Sequence, residues 1–248
     1  MDANKLRPDT KKLWKALEDH PLLKGFVLLG GTALTLRIGH RVSEDLDFAY
    51  PSGILPDSRI KALVKNQRER GNDFVLNQNP LDVEDAIEHG LDLNDNHRDF
   101  IVNSSVKVSF FSPGRESAQL TPADPDDRLR VATLDEIFAT KCLVCADRSK
   151  TRDWFDLYIL MTKHGYEMMD MYRVFEKYGI RQKFDIASVR LRKATPQVGD
   201  EGYLQLIDSP PSLETMREFF AKELDELEVQ IAKSAFQENS MRDGMAPE

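Results

Sequence analysis

The chain has 248 residues, 41% of them hydrophobic and 31% charged, enough for a substantial core and for one elaborated domain or two small ones. No apolar run approaches the length of a membrane span, and the opening residues Met1-Asp2-Ala3-Asn4-Lys5 lack the apolar core of a secretory signal, so a cytoplasmic protein without membrane contact is expected. A net charge of −8 argues against indiscriminate nucleic-acid binding, although basic residues cluster at Arg37, His40 and Arg41 and again at Arg181, Lys183, Arg190, Arg192 and Lys193.

Leu13, Trp14 and Leu17 at helical spacing predict a first helix over 10–19, ended by Pro21. The continuously apolar run 26–29 predicts a strand buried on both faces. A short helix over 31–39 and a second strand over 44–49 follow, the strand stopped by Pro51. A helix over 57–70 closes at Gly71, a C-cap residue. Residues 73–78 suit a strand, and the acidic stretch 80–97 reads as loop with a short helix. Strands near 99–103 and 106–111 are joined by the tight connection Asn103-Ser104-Ser105.

The proline-bearing acidic stretch 121–127 is the best boundary, giving domains of 1–127 and 128–248, with a short strand near 128–132 next. Thr133 and Glu136 match a capping box, so a helix should run from 134 to about 147. Cys142 and Cys145, three apart on that helix, read as core-facing thiols rather than a redox or zinc pair. Helical patterns continue over 151–163, 167–178, 183–193 and 212–234, and the polar tail after Gln237 is expected to fray. The pattern is α+β: a mixed sheet flanked by helices, then a mostly helical second part.

The chemistry concentrates early. An apolar strand runs into Gly30-Gly31-Thr32, and Asp45 and Asp47 follow two residues apart in what reads as a strand. Alternation puts both carboxylates on one face, with Leu46 and Phe48 on the other. Their mutual repulsion is relieved by a divalent cation, and hard oxygen ligands suit Mg2+ or Mn2+. Glycine lets backbone amides approach an anion closely, at a helix N-terminus aimed toward it. A phosphate cradle beside metal-binding carboxylates is the minimal equipment for moving a phosphoryl-containing group.

Later in the chain, Lys141 shares a helix face with Ile137, Phe138 and Cys145, so its stem should be partly buried. Asp153 and Asp156 fall one helical turn apart.

Gly30-Gly31-Thr32-Ala33-Leu34, Arg37 and Arg41-Val42-Ser43-Glu44-Asp45-Leu46-Asp47-Phe48 resemble the first motif of the AbiEii/AbiGii-type nucleotidyltransferase toxins, within the DNA polymerase beta-like nucleotidyltransferase superfamily. Lys141, Arg148, Arg152-Asp153 and Asp156 resemble the second. The resemblance spans roughly residues 26–160 and implies the nucleotidyltransferase topology, with the helical part completing the nucleotide site. It implies Mg2+ or Mn2+ on Asp45 and Asp47, and an NTP contacted by Gly30, Gly31, Thr32, Arg41, Ser43, Lys141, Arg152 and Asp153. Asp45, Asp47, Lys141 and Asp156 are the implied catalytic set. Asp153 or Asp156 would orient Lys141, contact the nucleotide or serve as base; Arg37 or Arg41 would reach phosphate or pair with Glu44.

One departure stands out. The wider superfamily carries a third carboxylate on a later strand, and on Val106-Lys107-Val108-Ser109-Phe110 that place is held by Ser109.

The resemblance implies an enzyme that moves NMP from an NTP to an acceptor hydroxyl, on a tRNA 3′ end or a protein. Such a toxin belongs to a toxin–antitoxin or phage-defence system and has a cognate antitoxin. Ser109 favours a second reading, a non-catalytic nucleotide-binding regulatory module on the same scaffold.

Overall fold

The structure, a computed structural model, describes residues 3–89 and 92–243. The chain divides into two compact units, Met1–Thr140 and Lys141–Glu248.

In the first unit, helix α1 (Pro8–Leu17) precedes strand β1 (Val27–Leu29), which runs directly into α2 (Gly30–Ile38). Strand β2 (Leu46–Ala49), helix α3 (Asp57–Glu69) and strand β3 (Phe74–Leu76) follow. The acidic stretch after β3 forms α4 (Pro80–Glu88). Strands β4 (His97–Val102) and β5 (Val106–Phe111), the short helix α5 (Arg115–Leu120), which no apolar periodicity announces, and strand β6 (Arg130–Val131) complete the unit. The six strands form one mixed sheet in the order β3-β4-β5-β2-β1-β6. β2 is parallel to β5 and antiparallel to β1, and β4 is antiparallel to β5.

The register follows from the apolar pattern. Leu46 pairs with Val108 and Phe48 with Phe110, and all four are fully buried. On this face the rings of Phe48 and Phe110 stack at 5.5 Å, and Phe26 and Phe100 approach Phe110 edge-on at 5.6 and 6.0 Å. Each buried ring contributes about 1.5–3 kcal/mol, so a one-residue slip of β2 would cost several kcal/mol. That fixes which face the odd-numbered residues, Asp47 and Ser109 among them, must occupy. The β4–β5 hairpin turns through Asn103 and Ser104, both with positive φ, and so pairs Val102 with Val106.

Helix α6 (Leu134–Asp147) opens with the expected box: the Thr133 amide donates to Glu136 Oε2 at 2.8 Å and the Glu136 amide to Thr133 Oγ1 at 3.2 Å. The second unit continues with α7 (Thr151–His164), α8 (Met168–Lys177), α9 (Arg181–Lys193) and α10 (Leu213–Asp243). Cys142 and Cys145 are fully buried free thiols, and burial pushes both well above the usual thiol range. The buried stripe of α10 is Met216, Phe220, Leu224 and Leu227. The helix outlasts this stripe by four turns, to Asp243, where fraying was expected after Gln237. No proline or glycine interrupts residues 228–243, and helix-favouring Glu, Gln, Ala and Lys recur there.

Candidate active site

β1 pairs with β2 so that Leu29 faces Asp47, and the chain turns into α2 at the next residue. Gly30 has φ +73°, and a Cβ there would lie 2.6 Å from Asp47 Oδ2. At Gly31 a Cβ would overlap the Arg41 guanidinium. The glycine pair therefore admits a carboxylate and a guanidinium against one stretch of backbone, at the positive end of α2. Arg41 is buried, with Nη1 donating to the Val42 carbonyl at 3.1 Å while its own carbonyl accepts from Thr35 Oγ1 at 3.1 Å.

Asp45 lies one residue before β2, on a loop held from several sides. Thr32 donates to the Asp45 carbonyl, and the Thr32 and Ser43 hydroxyls are 2.7 Å apart. Both side chains are buried, so their hydroxyls tie the Asp45 loop to the first turn of α2. Ser43 bridges to Leu6, and Thr10 Oγ1 donates to the Glu44 carbonyl at 2.7 Å. Glu44 pairs with Arg7. Arg37 donates instead to the carbonyls of Val131 and Ala132, at 2.7 and 2.9 Å, and braces β6.

Across the sheet from Asp47, the β2–β5 register places Ser109 directly beside it, and the β4–β5 register places Asp99 beside Ser109. Asp47, Ser109 and Asp99 thus form a row on one face, opposite the phenylalanine rings. Burial acts to raise the Asp99 carboxyl, but hydrogen bonds from His97, Lys107 and Ser109 outweigh it and hold the group well below the ordinary carboxylate range. The His97–Asp99 contact is 2.9 Å and the Lys107 Nζ–Asp99 Oδ2 pair 2.7 Å. Lys107 stands two residues before Ser109 on the same face. Partial burial acts to lower its ammonium, while the Asp99 hydrogen bond and the charges of Asp99, Asp47 and Asp45 raise it.

The second unit holds the other group of expected residues. Lys141 is buried, with Nζ 2.6 Å from Asp153 Oδ1 and 2.7 Å from Asp156 Oδ2. Arg148 Nε donates to Asp153 Oδ2 at 2.7 Å. Burial acts to raise Asp153, but the Lys141 and Arg148 charges win and hold it below the usual range. The one-turn spacing of Asp153 and Asp156 is what lets both reach a single ammonium. Arg152 Nε donates to the Gly202 carbonyl at 2.8 Å, and its Nη1 pairs with Glu201 at 3.0 Å.

The family described as nucleotidyl transferase AbiEii toxin, type IV TA system, matches residues 12–246. This chain belongs to the AbiEii nucleotidyltransferase toxin family. An uncharacterized protein of Aquifex aeolicus is 26% identical over 227 residues, covering 90% of this chain and 97% of that protein. Among solved structures, JHP933 of Helicobacter pylori aligns with a TM-score of 0.50 and 19% identity over 98% of this chain and 99% of its own. The nucleotidyltransferase toxin MenT4 of Mycobacterium tuberculosis aligns with a TM-score of 0.50 and 16% identity over 88% of this chain and 84% of its own. These two likenesses concern the fold, and they agree with the α+β class expected from sequence.

Family membership supports a nucleotidyltransferase toxin and implies an antitoxin. In this AbiEii-family chain, sequence reasoning missed Asp99, His97 and Lys107. The available signal was the hairpin: a three-residue connection over 103–105 pairs 102 with 106, and counting back places 99 opposite 109. Asp45 and Asp47 offer hard oxygen donors suited to Mg2+ or Mn2+. Among the described residues no group of three or more His, Cys, Asp or Glu is placed to hold a metal.

Proposed function

We propose that the chain is a metal-dependent nucleotidyltransferase that transfers NMP from an NTP to an acceptor hydroxyl and releases pyrophosphate. The observation that carries this reading is the Asp47 carboxylate set against Gly30 at the start of α2, with Asp45 tied two residues behind it. Asp45 and Asp47 would hold a divalent ion, which would supply Lewis-acid stabilisation of charge on the α-phosphate and the departing pyrophosphate. The backbone at Gly30 and Gly31, at the positive end of α2, binds phosphate oxygens. Thr32 and Ser43 act by fixing the Asp45 loop, and Arg41 adds positive charge behind the glycine bend.

The acceptor oxygen bonds to the α-phosphorus as the bond to the bridging oxygen of pyrophosphate breaks, and the hydroxyl proton passes to water. Asp153 and Asp156, committed to Lys141, are poorly suited to abstract it. The family's second motif supports a phosphate-contacting role for Lys141, with Asp153 and Asp156 orienting it. The acceptor is a tRNA 3′ end or a protein side chain, and a cytoplasmic toxin restrained by a cognate antitoxin, in a toxin–antitoxin or phage-defence setting, is the biological reading.

The test is transfer of label from α-labelled NTPs with Mg2+ to host RNA and host protein. Label should move with one NTP at least, and Asp47→Ala should lower the rate about a thousandfold. Ser109, buried beside Asp47, favours the second reading, a nucleotide-binding module without turnover. Calorimetry with a non-hydrolysable NTP separates the two: binding that depends on Asp45 together with no transfer under any NTP would establish the module.

A further inference from the structure

The row Asp47–Ser109–Asp99 has a hydroxyl where a third metal-binding acid would stand, and the cation Lys107 lies two residues along β5 on the same face. Its ammonium is anchored at 2.7 Å by Asp99 Oδ2, and its side chain is 41% exposed. Asp99 is in turn held by His97 and the Ser109 hydroxyl, so the anchor is fixed from both sides. Neighbouring strands are about 4.8 Å apart, so Asp99 stands roughly 9.6 Å from Asp47 at the backbone, with the β5 side chains between them. Lys107 also feels the charges of both Asp47 and Asp45.

Resting on the nucleotidyltransferase reading, we propose that Lys107 occupies the place of a second divalent ion, so that the site takes one metal per nucleotide, with Asp99 as the positioning residue of Lys107. Two-metal sites set their ions about 3.5–4 Å apart and clamp the attacking and leaving oxygens between them. On the glycine side of β2, Asp45 and Asp47 meet the N-terminus of α2. On the β5 side there is an ammonium and a hydroxyl, which repel or only weakly ligate a cation. An ammonium has three N–H donors and unit charge, so it can hold an anionic oxygen at that flank as a point charge does. In-line displacement puts the attacking oxygen opposite the leaving pyrophosphate. With the triphosphate on the glycine bend, the β5 side faces the acceptor, and Lys107 contacts that side.

The test counts Mn2+ by electron paramagnetic resonance on the full chain saturated with a non-hydrolysable NTP. Wild type should take one Mn2+ per protein–nucleotide complex. The double variant Lys107→Met with Ser109→Asp should take two. Lys107→Met alone should bind the first Mn2+ roughly five- to tenfold more tightly, because a repelling charge is gone. Asp99→Asn, which frees the ammonium to lean on the dyad, should weaken it. Lys107→Arg, the conservative replacement, should keep the single-ion count, and a purely structural lysine would instead give weaker Mn2+ binding in Lys107→Met. Two Mn2+ per wild-type complex, or weaker binding in Lys107→Met, overturns the inference while leaving the nucleotidyltransferase reading intact. Failure of wild type to bind nucleotide at all overturns that reading, and the inference with it.

Discussion

A single ammonium governs the interior of the second unit. Lys141 has Asp153 and Asp156 within 2.7 Å, and Asp153 also receives Arg148. Charges this deep are retained only when paired, and removing one partner strands the others. Asp153 carries the pH dependence. Its folded-state pKa lies below the unfolded value of about 3.9, so its contribution is fully present above that pH and is lost as pH falls through the folded value. Asp153→Asn should therefore cost about 3 kcal/mol at pH 7, with the gap to wild type narrowing below about pH 4. Denaturant unfolding of both proteins across pH 2–7 measures this, and a gap that stays constant down to pH 2 contradicts the assignment.

The strand-to-helix junction β1–α2 shows how an element builds a site. Gly30 combines a left-handed backbone with an Asp47 oxygen where a side chain would begin. Gly30→Ala incurs the left-handed penalty of about 1–2 kcal/mol and also pushes the carboxylate off the bend. Its Mn2+ affinity should fall at least tenfold while the far-ultraviolet dichroism stays that of wild type; unchanged affinity would mean that Asp47 does not work from this position. The helix α9 teaches the opposite lesson. Its basic residues cluster in sequence, and in the fold several of them meet neighbours within the same unit. Arg192 pairs with Asp225 and Glu228 on α10, Lys183 with Asp147, and Arg181 lies over the Tyr172 ring.

For the molecule as a whole, the net charge of −8 opposes non-specific association with nucleic acid. Non-specific RNA binding should be weaker than about 10⁻⁴ M at physiological salt, below the ordinary range for nucleic-acid-binding proteins. Filter binding with random-sequence RNA checks this, and micromolar retention would refute it. An RNA acceptor would then be held by local contacts at the site rather than by the field of the protein. No helix among the described residues is long and apolar enough to cross a membrane.

What the sequence settled by itself was whatever depends on near neighbours in the chain. The apolar run into Gly30, the alternation of Leu46, Asp47 and Phe48, the Thr133–Glu136 box and the one-turn spacing of Asp153 and Asp156 are all local, and local sterics and periodicity suffice to read them, whereas Asp45, expected on the same strand, lies on the loop before it. Even the serine in place of a third acid was visible, because alternation along β5 names the position. What surrounds that serine was decided by strand pairing. Asp99 is ten residues away in sequence and one strand away in space, and it faces Ser109 only because β4 and β5 pair in that register. In the same way Thr32 and Ser43, read as phosphate donors, had their hydroxyls directed inward once the chain near Leu6 packed against the Asp45 loop. Composition cannot tell which polar groups burial will oblige to bond one another; that choice belongs to the packed fold, where every enclosed donor and acceptor must find a partner.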